Sequence, residues 1–354
     1  MIDSVPAHGG NLRLASARYD RKDWLDFSAN INPMGVPEPV ADALTQAICE
    51  GRLAHYPDPD SLELRRVLAE YHKLTIEQIL PANGASEAMH LALSVLPKGR
   101  VALPVPCFSE YGAAAEHHGH SVHSLHMADC NYLVPWPTYR YEGVVLGHPN
   151  NPTSRLLERK CLEAWLNACE WGIVDEAFIE MTNGGESASH VPLLKQFPNL
   201  IVLRAFTKSL AIPGLRLGYA LGDVSWIQRM KEHQIPWSVN ALAQAVAVTL
   251  PALDGYREKT SRWLADEPAW LHEQLVRMGV SKRAWKPDTN FILCRSELPS
   301  AELVRRMAER GILVRDASNF AGLDDRYFRV AVRLRSDNER LLTSLRRSGT
   351  GTNP

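Results

Sequence analysis

No two of the six cysteines stand at redox or metal-binding spacing; Cys49, Cys107, Cys130, Cys161, Cys169 and Cys294 are scattered without a C-x-x-C pair. A chain of 354 residues needs no disulfide frame, so reduced thiols in a cytoplasmic protein are expected. No apolar run approaches the length that spans a bilayer. The opening "MIDSVPAHGGNLRLASARYD" lacks a basic stretch followed by an apolar core, so no secretory leader is expected. Charge of neither sign dominates. Against 40 acidic residues stand 39 lysines and arginines, a balance that gives no pull toward nucleic acid or a membrane surface. There is no P-loop and no internal repeat.

What is present is alternation. The first forty residues, with "AHGGN" and "DFSANINPMGVPEP", are rich in Gly, Pro and Asn and read as an irregular arm. A helix follows through "VADALTQAICE" and stops at Gly51. Asp60 with Glu63 resembles a capping pair opening "LELRRVLAEYHK". Strand-like and helix-like segments then succeed one another: "NGASEAMHLALSVLPKG", "RVALPVP", "YGAAAEHHG", "VVLGHPNNPTS", "ERKCLEAWLNACEW" and "GIVDEAF". That succession means βαβ units and a mostly parallel sheet covered on both faces. Beyond about Asp223, long helical stretches lead to a smaller strand-and-helix unit. The expected division is an arm over 1–37, a large α/β domain over 38–225, and interdomain helices with a small α+β domain over 226–354.

The residue that asks for an explanation is Lys208, in "LRAFTKSLAIPGLRLGYALG". It stands between two apolar runs, where desolvation disfavours an ammonium, and Arg216 follows eight residues later inside the second run. In open α/β sheets ligands bind beyond the carboxyl ends of the strands. The polar residues just past the proposed strands are Asn151, Asp175 and Lys208. A helix N-terminus at Gly84-Ala85-Ser86 would favour an anion. An amine, a carboxylate, a neutral donor and a phosphate cradle suit an aldehyde cofactor that carries a phosphate and a protonatable ring nitrogen. Taken singly, Asp175 reads equally as a cap, Asn151 as a turn former and Arg216 as a surface residue of an edge strand. The run "HHGHSVHSLH", His117 to His126, invites a metal reading, but its first two histidines end a helix and the rest alternate along a strand, so no metal site is expected.

The segments "VVLGHPNNPTS", "IVDEAFIE" and "AFTKSLAIPGLRLGY", in that order, resemble the fold-type I pyridoxal 5'-phosphate (PLP)-dependent aminotransferase superfamily over nearly the whole chain. The resemblance implies an α/β fold: a large domain with a mostly parallel seven-stranded sheet flanked by helices, plus the smaller α+β domain. It implies PLP as cofactor, with Lys208 as the amine that condenses with its aldehyde and Asp175 as the partner of its pyridine nitrogen. It implies Asn151 at the ring hydroxyl, Phe108 stacked on the ring, and Ala85, Ser86, Thr207 and Arg216 around the phosphate. Tyr56 falls where a second subunit's tyrosine reaches that phosphate, so a homodimer is implied. One position departs from many transaminases, which carry tyrosine three residues after the aspartate; here it is Phe178.

Two branches of the superfamily act on phosphorylated substrates, histidinol-phosphate aminotransferases and the threonine-phosphate decarboxylases of cobalamin biosynthesis. "HGGN", His8 to Asn11, followed by "DFSANINPMG", resembles the decarboxylase branch, as do "DEAF" and "FRVAVRLRSDNERL". In that branch the arm covers the active site. Carried over by position, the substrate set is His8, Gly9, Asn32, Asn151, Arg315 and Arg329. O-phospho-L-threonine has a carboxylate and a phosphate, so two cationic centres are needed: Arg329 for the first, Arg315 with His8 for the second. Transcription regulators with an aminotransferase-like domain are disfavoured, because no helix-turn-helix segment precedes "HGGN". A general-specificity aminotransferase remains as a further alternative.

Overall fold

The computed structural model describes residues 8–279 and 283–350. In chain order, α1 (Leu12–Tyr19) and β1 (Leu25–Asp26) precede α2 (Glu38–Cys49) and α3 (Leu62–His72). An alternating region follows: β2 (Ile79–Ala82), α4 (Gly84–Val95), β3 (Arg100–Val105), α5 (Ser109–His117), β4 (Ser121–His126), β5 (Gly143–Gly147), α6 (Arg159–Ala168), β6 (Trp171–Asp175), β7 (Leu200–Ala205) and β8 (Gly218–Gly222). Then come α7 (Val224–His233), α8 (Ala241–Ala245) and the long α9 (Asp254–Arg277). The last part holds β9 (Arg283–Ala284), β10 (Phe291–Arg295), α10 (Ser300–Glu309), β11 (Ile312–Leu313), β12 (Arg315–Asp316), β13 (Tyr327–Ala331) and α11 (Arg335–Leu345).

The central sheet has seven strands in the order β2-β8-β7-β6-β5-β3-β4, and β8 alone runs against its neighbours. Strand residues alternate between two apolar layers. Val144, Leu146, Val174 and Val202 enter one core, while Val145, Ile173, Ile201 and Leu203 enter the other. A strand buried on both faces must be apolar throughout, and β5 to β7 are. A separate core of Leu271, Ile292, Leu303, Phe328 and Val330 sits under the four-stranded sheet β12-β13-β10-β9. Among the described residues no helix is long and apolar enough to cross a membrane, and the cysteines are unpaired thiols.

The arm is more ordered than its composition suggests. Asn11 accepts a hydrogen bond from the Leu14 amide at 3.0 Å and caps α1. β1 pairs in parallel with β11, which ties the arm to the C-terminal part. Pro, Gly and Asn on either side masked a segment whose own residues, LRLASARY, favour helix. The cap of α3 also differs from expectation. Asp58, not Asp60, accepts from the Leu62 amide at 2.7 Å. Asp60 is spent on Lys231 instead. Ser61 adopts a left-handed backbone (φ 46°), and this brings Asp58 rather than its neighbour over the helix start. Of the long helical stretches expected beyond Asp223, "ALAQAVAVTL" is one short α-helix continued as a 3-10 helix over Ala247–Ala252.

Candidate active site

The carboxyl ends of β5, β6 and β7 and the start of α4 converge on one cavity of about 250 Å³. Its lining takes in Asn151 beyond β5, Asp175 at the end of β6, and Thr207 and Lys208 beyond β7. Ala85 and Ser86 enter from the first turn of α4, Phe108 from the β3–α5 junction, Arg216 from the approach to β8. His8 and Gly9 roof it, and Arg315 and Arg329 close the side facing the C-terminal sheet. Of the residues singled out in the sequence, Asn32 and Tyr56 are absent from this lining.

Lys208 opens to the cavity but is screened from bulk water. Burial pushes its amine down to about 8, with Arg329 and Arg216 acting in the same direction. Its Nζ lies 5.7 Å from the centroid of Phe178. Burial raises the Asp175 carboxyl, and two donors oppose that: the Tyr111 hydroxyl to Oδ2 at 2.7 Å and the Ala177 amide to Oδ1 at 2.9 Å. Beneath it, buried Glu176 is held by Arg204 at 3.1 Å, Ser189 at 2.6 Å and the His190 amide at 2.6 Å. That paired charge anchors the end of β6 on the face away from the cavity.

The start of α4 is shaped around Arg216. Gly84 has φ +81°, and a Cβ there would lie 2.5 Å from Arg216 Nη2. A Cβ on Gly218 would lie 2.5 Å from the Ala85 amide nitrogen. Both glycines therefore leave room for helix-start amides and a guanidinium to face the same space. Arg216 itself takes a left-handed backbone (φ 62°), which turns its side chain back toward α4.

Arg315 and Arg329 are directly opposed across β12 and β13 and so project from one face. Arg329 donates to the Asn151 side-chain oxygen and, at 3.0 Å, to the Ser28 carbonyl. Burial and the neighbouring Arg315 push it down to about 9, still charged at neutral pH. Arg315 donates to Asn319 at 2.8 Å and lies over the Phe320 ring.

The expectation for Asn32 is corrected here. Its amide nitrogen is buried against the Ser209 carbonyl at 2.9 Å and the Thr260 hydroxyl at 3.0 Å, and its side-chain oxygen caps the Met34 amide. It holds the Lys208 loop rather than facing the cavity. Asn30 lines the cavity in its place, 2% exposed, with neither side-chain polar atom partnered among the described residues. Tyr111 was also missed, although its spacing of three from Phe108 on a helix start puts both on one side. Tyr56 is 81% exposed and its ring lies tilted against Trp237, the centroids 4.6 Å apart, outside its own chain's cavity. Among the described residues no group of three or more His, Cys, Asp or Glu has metal-holding geometry.

These residues fit the cofactor that the resemblance implies. A screened amine, a fixed carboxylate and a glycine-lined anion cradle with its own guanidinium are three separate features, and PLP uses all three.

Comparison with known proteins agrees. The family model described as aminotransferase class I and II matches residues 22–345. The chain is 37% identical to a threonine-phosphate decarboxylase of Salmonella typhimurium, over 98% of each chain. It is 30% identical to histidinol-phosphate aminotransferase 2 of Archaeoglobus fulgidus, over 93% of this chain and 94% of that one. Among solved structures, the histidinol-phosphate aminotransferase from Clostridium acetobutylicum superposes with a TM-score of 0.85 at 32% identity, covering 91% of this chain and 98% of its own.

Proposed function

Because the chain belongs to the aminotransferase class I and II family, we propose that it is a PLP-dependent decarboxylase of O-phospho-L-threonine. It releases CO₂ and (R)-1-amino-2-propanol O-2-phosphate for cobalamin biosynthesis, as a cytoplasmic homodimer. The observation that carries this reading is the opposed pair Arg315 and Arg329 beside Lys208. A substrate with two anionic groups suits two cationic centres. The greater identity to the Salmonella typhimurium decarboxylase than to the Archaeoglobus fulgidus aminotransferase supports the same choice.

When bound, PLP supplies an aldehyde that joins the substrate amine and a protonated ring that accepts the electron pair left on Cα. Asp175, fixed in place by Tyr111 and the Ala177 amide, would hold the proton at the ring nitrogen. Ala85, Ser86, Thr207 and Arg216 would hold the cofactor phosphate, Asn151 its ring hydroxyl and Phe108 its ring face. Arg329 and Asn30 would hold the substrate carboxylate, and Arg315 with His8 and Gly9 its phosphate. Fixing both ends decides which bond at Cα aligns for cleavage, C–C rather than C–H. Lys208, with its amine near 8, is suited to deliver the proton that Cα needs once CO₂ has left. Loss of the carboxylate then leaves Arg329 without its ligand, which favours product release. His8 and Gly9 of the arm act as roof, 38–225 carries the cofactor, and the part beyond 226 brings the two arginines.

The test is PLP-loaded protein given O-phospho-L-threonine with no keto acid. Release of CO₂ with aminopropanol phosphate is expected. No CO₂, with histidinol phosphate instead passing its amino group to 2-oxoglutarate, overturns the reading in favour of the aminotransferase.

A further inference from the structure

The roof of the cavity is fastened at two points. On one side Gly9 packs so closely on the Ser28 carbonyl that no side chain fits between them, and the Gly10 amide donates to Ser28 Oγ at 2.8 Å. On the other side the His8 ring reaches across to α5, where its Nε2 stands 3.2 Å from Glu110 Oε1. Glu110 and Asp175 are the two acidic residues in the lining, and Asp175 is held on the floor by Tyr111. Glu110 is thus a carboxylate at the mouth of a cavity whose lining also carries the cations Lys208, Arg216, Arg315 and Arg329. A fixed negative charge beside the residues that receive an anion opposes binding, unless it leaves when the anion arrives.

We propose that Glu110 is an internal stand-in for the substrate's phosphate, holding His8 across the cavity mouth until a phosphorylated amino acid displaces it, and so is a specificity-determining residue. This rests on the reading that His8 and Arg315 receive that phosphate. Both partners are about half exposed, so their attraction holds the contact by about fivefold at most. A phosphate dianion carries twice the charge of the carboxylate and has oxygens enough to reach His8 and Arg315 together, so it wins. An amino acid without a phosphate, such as threonine, has a single anionic group, its carboxylate, already committed to Arg329, and leaves the His8–Glu110 contact closed.

The experiment compares Glu110→Gln and Glu110→Ala with the wild-type holoenzyme, using O-phospho-L-threonine as substrate and inorganic phosphate as inhibitor. Gln keeps a hydrogen-bond acceptor for His8 and removes the charge. In Glu110→Gln, KM and the phosphate inhibition constant should both fall about two- to fivefold, with the change on KM rather than kcat. Unchanged constants in Glu110→Gln with a raised KM in Glu110→Ala would make Glu110 a mere fastener of the roof and overturn the proposal. A raised KM in both variants would overturn it too. If wild-type holoenzyme does not turn over phosphothreonine at all, the functional reading fails separately. Calorimetric phosphate binding then decides: tighter binding in Glu110→Gln supports the stand-in, equal or weaker binding refutes it.

Discussion

At the scale of the residue, the lysine between two apolar runs is the most legible feature of the chain, because an uncompensated amine at a strand end has few structural uses. Its depressed value has a checkable consequence. In cofactor-free protein, amine-directed labelling of Lys208 should show a midpoint near pH 8, against the 10.5 of an ordinary lysine. Arg216→Gln removes one neighbouring positive charge, so that midpoint should rise. A midpoint unmoved from 10.5 in the wild type would contradict the account. The sign also bears on stability. The unfolded chain binds the extra proton between about 8 and 10.5, so this group's contribution to folding improves as pH climbs through that window. The Asn30 and Asn32 pair shows where sequence reading stopped. In an extended strand they would point to the same side, but the chain turns at Asn32, whose carbonyl accepts from the Gly35 amide. Only the folded chain reveals that one asparagine props the Lys208 loop and the other faces the cavity.

At the scale of the element, the order of strands and helices was readable because each buried strand is apolar and each break carries Gly, Pro or Asn. α1 was not readable. None of its residues is buried, so it leaves no apolar stripe to detect. The start of α4 could be proposed from sequence as an anion site, yet the reason for its glycine lies in Arg216, 132 positions away in sequence numbering. Gly84→Ala combines a left-handed backbone with a contact on that guanidinium. It should weaken retention of the cofactor by at least about tenfold, the worth of one lost charge-assisted hydrogen bond, with the fold preserved. Equilibrium dialysis against PLP measures this, and unchanged retention would remove the cradle from the account.

At the scale of the whole molecule, the family resemblance implies that Tyr56 serves a partner's site, and the single chain leaves it exposed against Trp237. Sedimentation should give a dimer. Tyr56→Phe should leave that dimer intact while lowering cofactor retention by about tenfold, as expected for one hydrogen bond to a charged group. A monomer with full activity would contradict this. What no pattern of residues displays is which bond at Cα the assembled cavity aligns, since that depends on how both ends of the substrate are clamped between two parts of the chain. The direct test is turnover of O-phospho-L-threonine in deuterated water, followed by mass and NMR analysis of product and recovered substrate. The account predicts a product that keeps its original α-hydrogen and gains one deuterium, and substrate recovered without deuterium at Cα. Deuterium in the recovered substrate, or loss of the α-hydrogen, would mean that the cavity breaks C–H instead and would contradict the decarboxylase.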